Sequence, residues 1–373
     1  MKEVMTFKSG KFYFSKNVDD AKINNLLVRA TVLNETVVDL PILPELSVGL
    51  EPDIMYSSIS GTAMIEGNAI IEEDVKKIAE GEDLVHYTKK DKQEVKNIIE
   101  AYALLAKVEP SDSPFILTEK LIKEIHSIIT HDVLYDGGIP GMYRNFKVYV
   151  GDKAHGGTYT PPKVLDDIKK LMTCFVGWIN SDEILSLSPF IRASLAHYYL
   201  CLIHPFGDGN GRTARMIEAL LLQSSKIKYV PKELSNYYYR NVDDYYIAFS
   251  KNIKDRKDVT PFIEFTLKGV VESLEKIKER IIFFIRKFAL RDFYAFELKN
   301  KEITRRQFEL LLSLLENPIE ISVKDLFEKR PFSLLYNQVT TQTARRDLKK
   351  LTAREFLKVS EDNRYTINFR ALG

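Results

Sequence analysis

Cysteine is nearly missing from this chain: Cys174 and Cys201 are the two in 373 residues, and each sits in an apolar helical pattern. Such a count rules out a disulfide framework and reads as a pair of reduced core thiols. No Cys-x-x-Cys or His-Glu-x-x-His spacing occurs, so a structural zinc is not expected. His86, His126, His131, His155 and His197 are therefore placed on helix surfaces or loops. Charge of one sign is also lacking. Lys+Arg 54 against Asp+Glu 52 leaves a formal +2, which advertises neither nucleic acid nor an anionic membrane. Nowhere do about 18 apolar residues run together, and residues 1–17 mix lysine with aromatics rather than forming the apolar stretch of a signal peptide. A cytoplasmic protein without a membrane partner is expected. The 45% hydrophobic content is ample for two or three packed domains.

Against that plain background, residues 204–215 read His-Pro-Phe-Gly-Asp-Gly-Asn-Gly-Arg-Thr-Ala-Arg. Apolar helical spacing precedes them (Ile191, Leu195, Tyr198, Tyr199, Leu202) and follows them (Met216, Ile217, Leu220, Leu221), which predicts a tight loop between two helices. At a helix start the first amides have no intrahelical acceptor and the dipole is positive, so Gly209, Asn210 and Gly211 can offer N–H groups to phosphate oxygens. Asp208 can supply one carboxylate to a Mg²⁺ whose other ligands are phosphate and water. Arg212 and Arg215, three apart on one helical face, can clamp anionic charge with planar forks. The imidazole of His204 is mostly neutral at pH 7 and able to take a proton from an attacking hydroxyl.

This segment resembles the Fic family signature, His-x-Phe-x-(Asp/Glu)-Gly-Asn-Gly-Arg-x-x-Arg, with every specified position present. The resemblance implies that His204 is the general base, Phe206 an apolar anchor and Asp208 the Mg²⁺ ligand. It implies further that Asn210 and the glycine amides cradle the α- and β-phosphates, while Arg212 and Arg215 meet the outer phosphates. The family's usual reaction is AMP transfer from ATP to a protein hydroxyl.

Three further stretches extend the likeness across most of the first 290 residues. Gly141-Met142-Tyr143-Arg144, then Lys147 to Gly151 and Tyr159-Thr160-Pro161-Pro162, look like the family's flap. Alternating residues around a glycine-rich tip predict a short β-hairpin ended by the prolines. In the family this hairpin pairs with the target protein, and Val150 and Gly151 are counted here among the nucleotide contacts. Downstream, the tyrosine-rich stretch 236–246 resembles the helix that carries adenine contacts, which puts Tyr245 and Tyr246 in that role. The third stretch is Ser57 to Asn68, containing (Ser/Thr)-x-x-x-Glu-(Gly/Asn), the family's mark of a self-inhibitory helix. Thr62 and Glu66, four apart, share a face, and Gly67 or Asn68 can take the left-handed conformation that ends the helix. The resemblance implies that Glu66 pairs with Arg215 and occupies the place an ATP γ-phosphate needs.

The expected architecture is mainly α, a Fic-type helical bundle with a β-hairpin flap and a small C-terminal winged-helix-like α+β domain. Residues 1–50 read as a strand-containing arm ending in the linker Leu40-Pro41-Ile42-Leu43-Pro44, residues 51–110 as a helical region with the inhibitory helix, 111–290 as the catalytic core, and 291–373 as the winged-helix-like domain. That last domain is read as helices from Thr304 to Leu315, Ser322 to Phe327 and Thr340 or Thr341 to Leu351, then a hairpin. Its third helix carries Thr341, Thr343, Arg345, Arg346, Lys349 and Lys350, a surface suited to a DNA groove or to protein docking. The leading function is an autoinhibited protein adenylyltransferase using ATP and Mg²⁺ on a Ser, Thr or Tyr hydroxyl of a target protein, with self-modification and a homodimer also in view. The alternatives are a DNA-binding or docking regulator with a nucleotide-sensing core, and an enzyme that removes AMP using Glu66.

Overall fold

The structure, a computed structural model, describes residues 1–41, 44–133, 138–254 and 257–372. Two short strands open it, β1 (Lys2–Met5) and β2 (Lys11–Phe14), paired antiparallel with Lys2 opposite Phe14. Helices follow: α1 (Asp20–Asp39), α2 (Pro44–Ile65), α3 (Glu72–Ala79), α4 (Lys89–Leu105), α5 (Glu119–Thr130), α6 (Leu165–Ile179), α7 (Asp182–Leu185), α8 (Pro189–Ile203), α9 (Asn210–Ser224), α10 (Leu234–Arg240), α11 (Val242–Lys254) and α12 (Thr260–Lys299). Then come α13 (Arg305–Glu316), α14 (Asp325–Glu328), α15 (Phe332–Tyr336), α16 (Thr341–Ala353) and the antiparallel pair β3 (Leu357–Val359) and β4 (Tyr365–Ile367). The fold is the expected mainly helical one. No described helix is long and apolar enough to cross a membrane.

The chain divides into two compact units, one of residues 1–40 with 47–278 and one of residues 279–373 with 41–46. At the centre of the first lies α8, buried at every position except Pro189 and Cys201, as expected of a helix that is apolar all round. α9 packs along it, and α4 and α5 pack on α9. The second unit has its own core, in which Leu310, Leu314, Leu326, Phe332, Leu348 and Ile367 are buried together. Its hairpin is extended by a bridge between Ile321 and Tyr365.

Residues 1–40 belong to the first compact unit and pack into it. Phe14 is fully buried, its ring 5.3 Å from Trp178 and 5.1 Å from Tyr199. The hairpin tip is tied to α6, where the Asp167 carboxylate accepts N–H groups from Phe7 (2.6 Å), Lys8 (3.0 Å) and Ser9 (2.9 Å). The unanticipated α1 buries Ile23, Ala30 and Val37, one residue every two turns. Ile23, Leu26, Leu27, Ala30, Leu33 and Val37 keep the three-and-four apolar spacing of a helix, so the signal for α1 was present in the sequence. In the proposed linker, residues 42 and 43 lie outside the described residues, and α2 already begins at Pro44.

Other expectations need local correction. The flap is a single bridge rather than a laddered hairpin: Val150 and Tyr159 exchange main-chain bonds of 2.9 and 2.7 Å. Between them the backbone turns back on itself, with Gly157 N–H on Asp152 O (2.8 Å) and His155 N–H on Asp152 Oδ1 (3.0 Å), so its amides serve the turn. His126 and His197, assigned to surfaces, are buried, because each finds two hydrogen-bond partners inside the fold. In the second unit α13 starts one residue after its Thr304 cap, while α16 starts at Thr341, one of the two expected positions. The middle segment is two short helices, α14 and α15, where one was expected.

Candidate functional site

His204 ends α8. Its φ of 49° and ψ of 59° are left-handed, unusual for a residue with a Cβ, and its N–H still donates to Leu200 O at 2.9 Å. The strain is held by Arg144, whose Nε donates to His204 O (2.8 Å), Nη1 to Phe146 O (2.5 Å) and Nη2 to Pro162 O (2.8 Å). One buried guanidinium thus braces three carbonyls. The imidazole donates from Nδ1 to Cys201 O (3.3 Å), which leaves the Nε2 lone pair available. Burial, with Arg144 adding to it, takes the His204 pKa down to about 4, so the ring is neutral at pH 7.

Past His204 the loop is locked from within. The Asn210 side chain accepts from Phe206 N–H (2.9 Å) and donates to Phe206 O (3.0 Å), and the Phe206 ring stacks on His126 at 3.6 Å and 7°. His126 accepts from Gly141 N–H (2.9 Å), so its Nε2–H donates to Asp208 O (2.9 Å). Burial takes its pKa to about 4 as well, as a wholly neutral bridging role requires. Gly209 turns the chain into α9 with a φ of +71°. The first amides of α9 and the open Cα of Gly211 then face the loop mouth.

The end of α2 fills that mouth. Gly67, with a φ of +86°, and the bond from Asn68 N–H to Ala63 O (3.1 Å) stop the helix, leaving Glu66 at its tip. Glu66 Oε1 accepts from Arg215 Nη2 at 2.7 Å, and a Cβ built on Gly211 would stand 2.4 Å from that same oxygen. The carboxylate therefore rests over the positive end of α9, against the direction favoured by its own helix. Arg215 also donates from Nε to Thr62 Oγ1 (2.6 Å), from Nη2 to Thr62 O (3.2 Å) and from Nη1 to Tyr245 OH (3.4 Å). Burial pushes the Glu66 carboxyl up, but Arg215 and Arg212 outweigh it and hold it below its ordinary value.

His204, Asp208, the Gly209 to Gly211 turn, Arg212, Arg215, Thr62, Glu66 and Gly67 thus converge on one site. Arg212 is turned inward, pairing with Asp208 Oδ1 (2.9 Å) and Glu94 Oε1 (3.2 Å). Asn210 shapes the loop with its side chain, so the cradle is backbone alone. Tyr245 has no ring face on the loop. Tyr238, Phe249 and Phe262 surround it, and its hydroxyl joins His197 Nε2 (2.8 Å) to Arg215. Tyr246 OH caps α2 through Ile65 O at 3.4 Å, and its ring lies 5.3 Å from His155. Val150 and Gly151 lie at the flap bridge.

Arg144, His126 and Glu94 join the site although no local spacing marks them for it. Arg144 lies within the flap motif, whereas Glu94 and His126 sit in ordinary amphipathic helices that carry no local signal.

Residues 116–222 match the Fic/DOC family. "Protein adenylyltransferase fic-1" of Caenorhabditis briggsae is 30% identical over 173 residues, which cover 43% of this chain and 31% of that protein. "Protein adenylyltransferase Fic" of Drosophila grimshawi is 36% identical over 162 residues, 43% of this chain and 30% of that protein. The chain spans about a third of the length of these curated relatives. Among solved structures, a Fic family protein from Desulfovibrio desulfuricans G20 superposes with a TM-score of 0.61 at 19% identity, covering 95% of this chain and 98% of that one. Fic-1 from C. elegans superposes at 0.56 and 23%, covering 70% and 73%. The stretch that matches the Fic/DOC family, residues 116–222, holds His204, its loop and Arg215.

Proposed function

We propose that the protein is an autoinhibited adenylyltransferase that moves AMP from ATP to a Ser, Thr or Tyr hydroxyl of a target protein. The observation that carries the reading is the Glu66 carboxylate lying against Gly211 and Arg215, an anion seated at the start of α9. A carboxylate there and a phosphate of ATP compete for one guanidinium and one set of amides. Glu66 is 29% exposed at its side chain and Arg215 only 2%, so the pair can open from the glutamate side while the arginine stays in place.

With Glu66 withdrawn, the α9 amides and Arg215 receive the triphosphate. His204 Nε2, already without a proton, accepts the hydroxyl proton as that oxygen bonds to the α-phosphorus. The α-phosphorus to bridging oxygen bond breaks and pyrophosphate leaves. Asp208 fits a Mg²⁺ held by a single carboxylate: its side chain is 43% exposed, and Arg212 and the Gly209 amide engage Oδ1, not Oδ2. When bound, such an ion offsets the negative charge of the phosphates. Asp208 would be held in place for it by Arg212.

The test is labelling with ATP carrying ³²P at either end. The Glu66→Gly protein is expected to retain label from α-³²P-ATP on itself or on an extract protein after denaturation, and none from γ-³²P-ATP. Adding His204→Ala should lower the labelling rate by about 100-fold or more. Label from the γ position, or undiminished labelling without His204, would defeat the proposal.

A further inference from the structure

Behind Arg215, on the side away from the loop, runs a chain of buried polar groups that the reaction as described does not use. Glu218 on α9 is 2% exposed, His197 on α8 is fully buried and Tyr245 on α11 is 2% exposed. His197 Nδ1 lies 2.8 Å from Glu218 Oε2, and Nε2 lies 2.8 Å from Tyr245 OH. Tyr238 OH donates to both Glu218 oxygens (3.0 and 3.1 Å), which leaves the carboxylate purely an acceptor. The aromatic rings of Tyr238, Phe249 and Phe262 enclose the imidazole.

Protons in this chain can be assigned in order. A carboxylate cannot donate, so the proton between Glu218 and His197 sits on Nδ1. With its proton on Nδ1 alone, the ring accepts at Nε2 from the Tyr245 hydroxyl. Burial raises the Tyr245 pKa well above its ordinary value, so that proton is retained. The Tyr245 oxygen then turns a lone pair toward Arg215 Nη1.

Arg215 makes four hydrogen bonds, and three of them are to Thr62 and Glu66 on α2. When α2 lets go, Tyr245 remains. We propose that Glu218, His197 and Tyr245 are positioning residues that present a fixed acceptor to Arg215 and hold its guanidinium for the outer phosphates of ATP once Glu66 has left. This rests on the reading of Arg215 given above. The guanidinium would otherwise regain rotamer freedom on release, and phosphate binding would have to order it again.

The experiment uses the Glu66→Gly protein and titrates it calorimetrically with Mg·ATP and with AMP. Tyr245→Phe in that background keeps the ring and removes the acceptor. ATP affinity is expected to fall about tenfold, as for loss of one long bond to a charged group, with AMP affinity unchanged. Equal losses for both nucleotides, or no loss for either, would overturn the relay. If the Glu66→Gly protein itself binds AMP as tightly as ATP, the outer-phosphate reading of Arg215 falls, and the relay's role falls with it. Nitrogen-15 NMR of the unsubstituted protein gives a second reading that needs no variant. His197 should carry a proton on Nδ1, and a ring protonated at Nε2 alone would refute the proton order.

Discussion

Gly61 lies five residues before Glu66 on α2, about 7.5 Å along the helix axis, and touches nothing in the loop. There α2 lies against the backbone of α10. A Cβ at position 61 would stand 2.9 Å from Asn236 Cα, 3.0 Å from Ser235 O and 3.1 Å from Asn236 N, all backbone atoms, where ordinary contact begins at 3.4 Å. Gly61→Ala must therefore push α2 and α10 apart by about half an ångström. Overpacking of this kind costs about 1–3 kcal/mol, and alanine returns about 1 kcal/mol of helix propensity, so the net loss is about 0–2 kcal/mol and the protein still folds. The same half-ångström carries the Glu66 to Arg215 contact from 2.7 Å to the edge of hydrogen-bond range. A latch weakened by about 1 kcal/mol opens about fivefold more often. Initial labelling rates with α-³²P-ATP below saturation should rise by that factor over the unsubstituted protein. In the Glu66→Gly background the same alanine should add nothing, since the latch is already gone. A fall in melting temperature without faster labelling, or a rate gain that persists in the Glu66→Gly protein, would refute the idea that strain at this crossing reaches the glutamate.

Two other outcomes follow from the geometry. Gly211→Ala in the Glu66→Gly background places a methyl where the carboxylate oxygen rested, 3.1 Å from Arg215 Nη1. ATP affinity and labelling should both drop by at least tenfold, and full retention would mean that phosphate does not use that seat. Because burial has lowered the His204 pKa to about 4, the base is already deprotonated well below neutrality. Single-turnover labelling by the Glu66→Gly protein should be flat from pH 8 to about pH 5.5 and decline only below that; a half-point near 6.5 would show an ordinary, solvated imidazole.

The sequence disclosed the loop and the latch because both are local. A base at a helix end, glycines at a turn and two arginines a turn apart must be adjacent in the chain to do their work, so spacing alone exposes them. Thr62 and Glu66 were legible for the same reason, through the four-residue repeat of one helical face. What escaped was whatever depends on partners far along the chain. His197 and Glu218 look like a stray histidine and a stray acid until α8 and α9 lie side by side, 21 residues apart in sequence. His126 meets Asp208 across 82 positions. Tyr245 was noticed but misplaced, since a tyrosine that faces a ligand and one that faces a buried histidine show the same residue on the same helical pattern. The flap was read correctly in position and wrongly in form, because its glycine-rich tip closes on its own carbonyls and carboxylate instead of forming rungs.

Arg144 grips the carbonyls of His204, Phe146 and Pro162 with a single rigid fork. Those three attachment points belong to the base and to the two roots of the flap. Any displacement of either root is thereby tied through one rigid side chain to the backbone of His204.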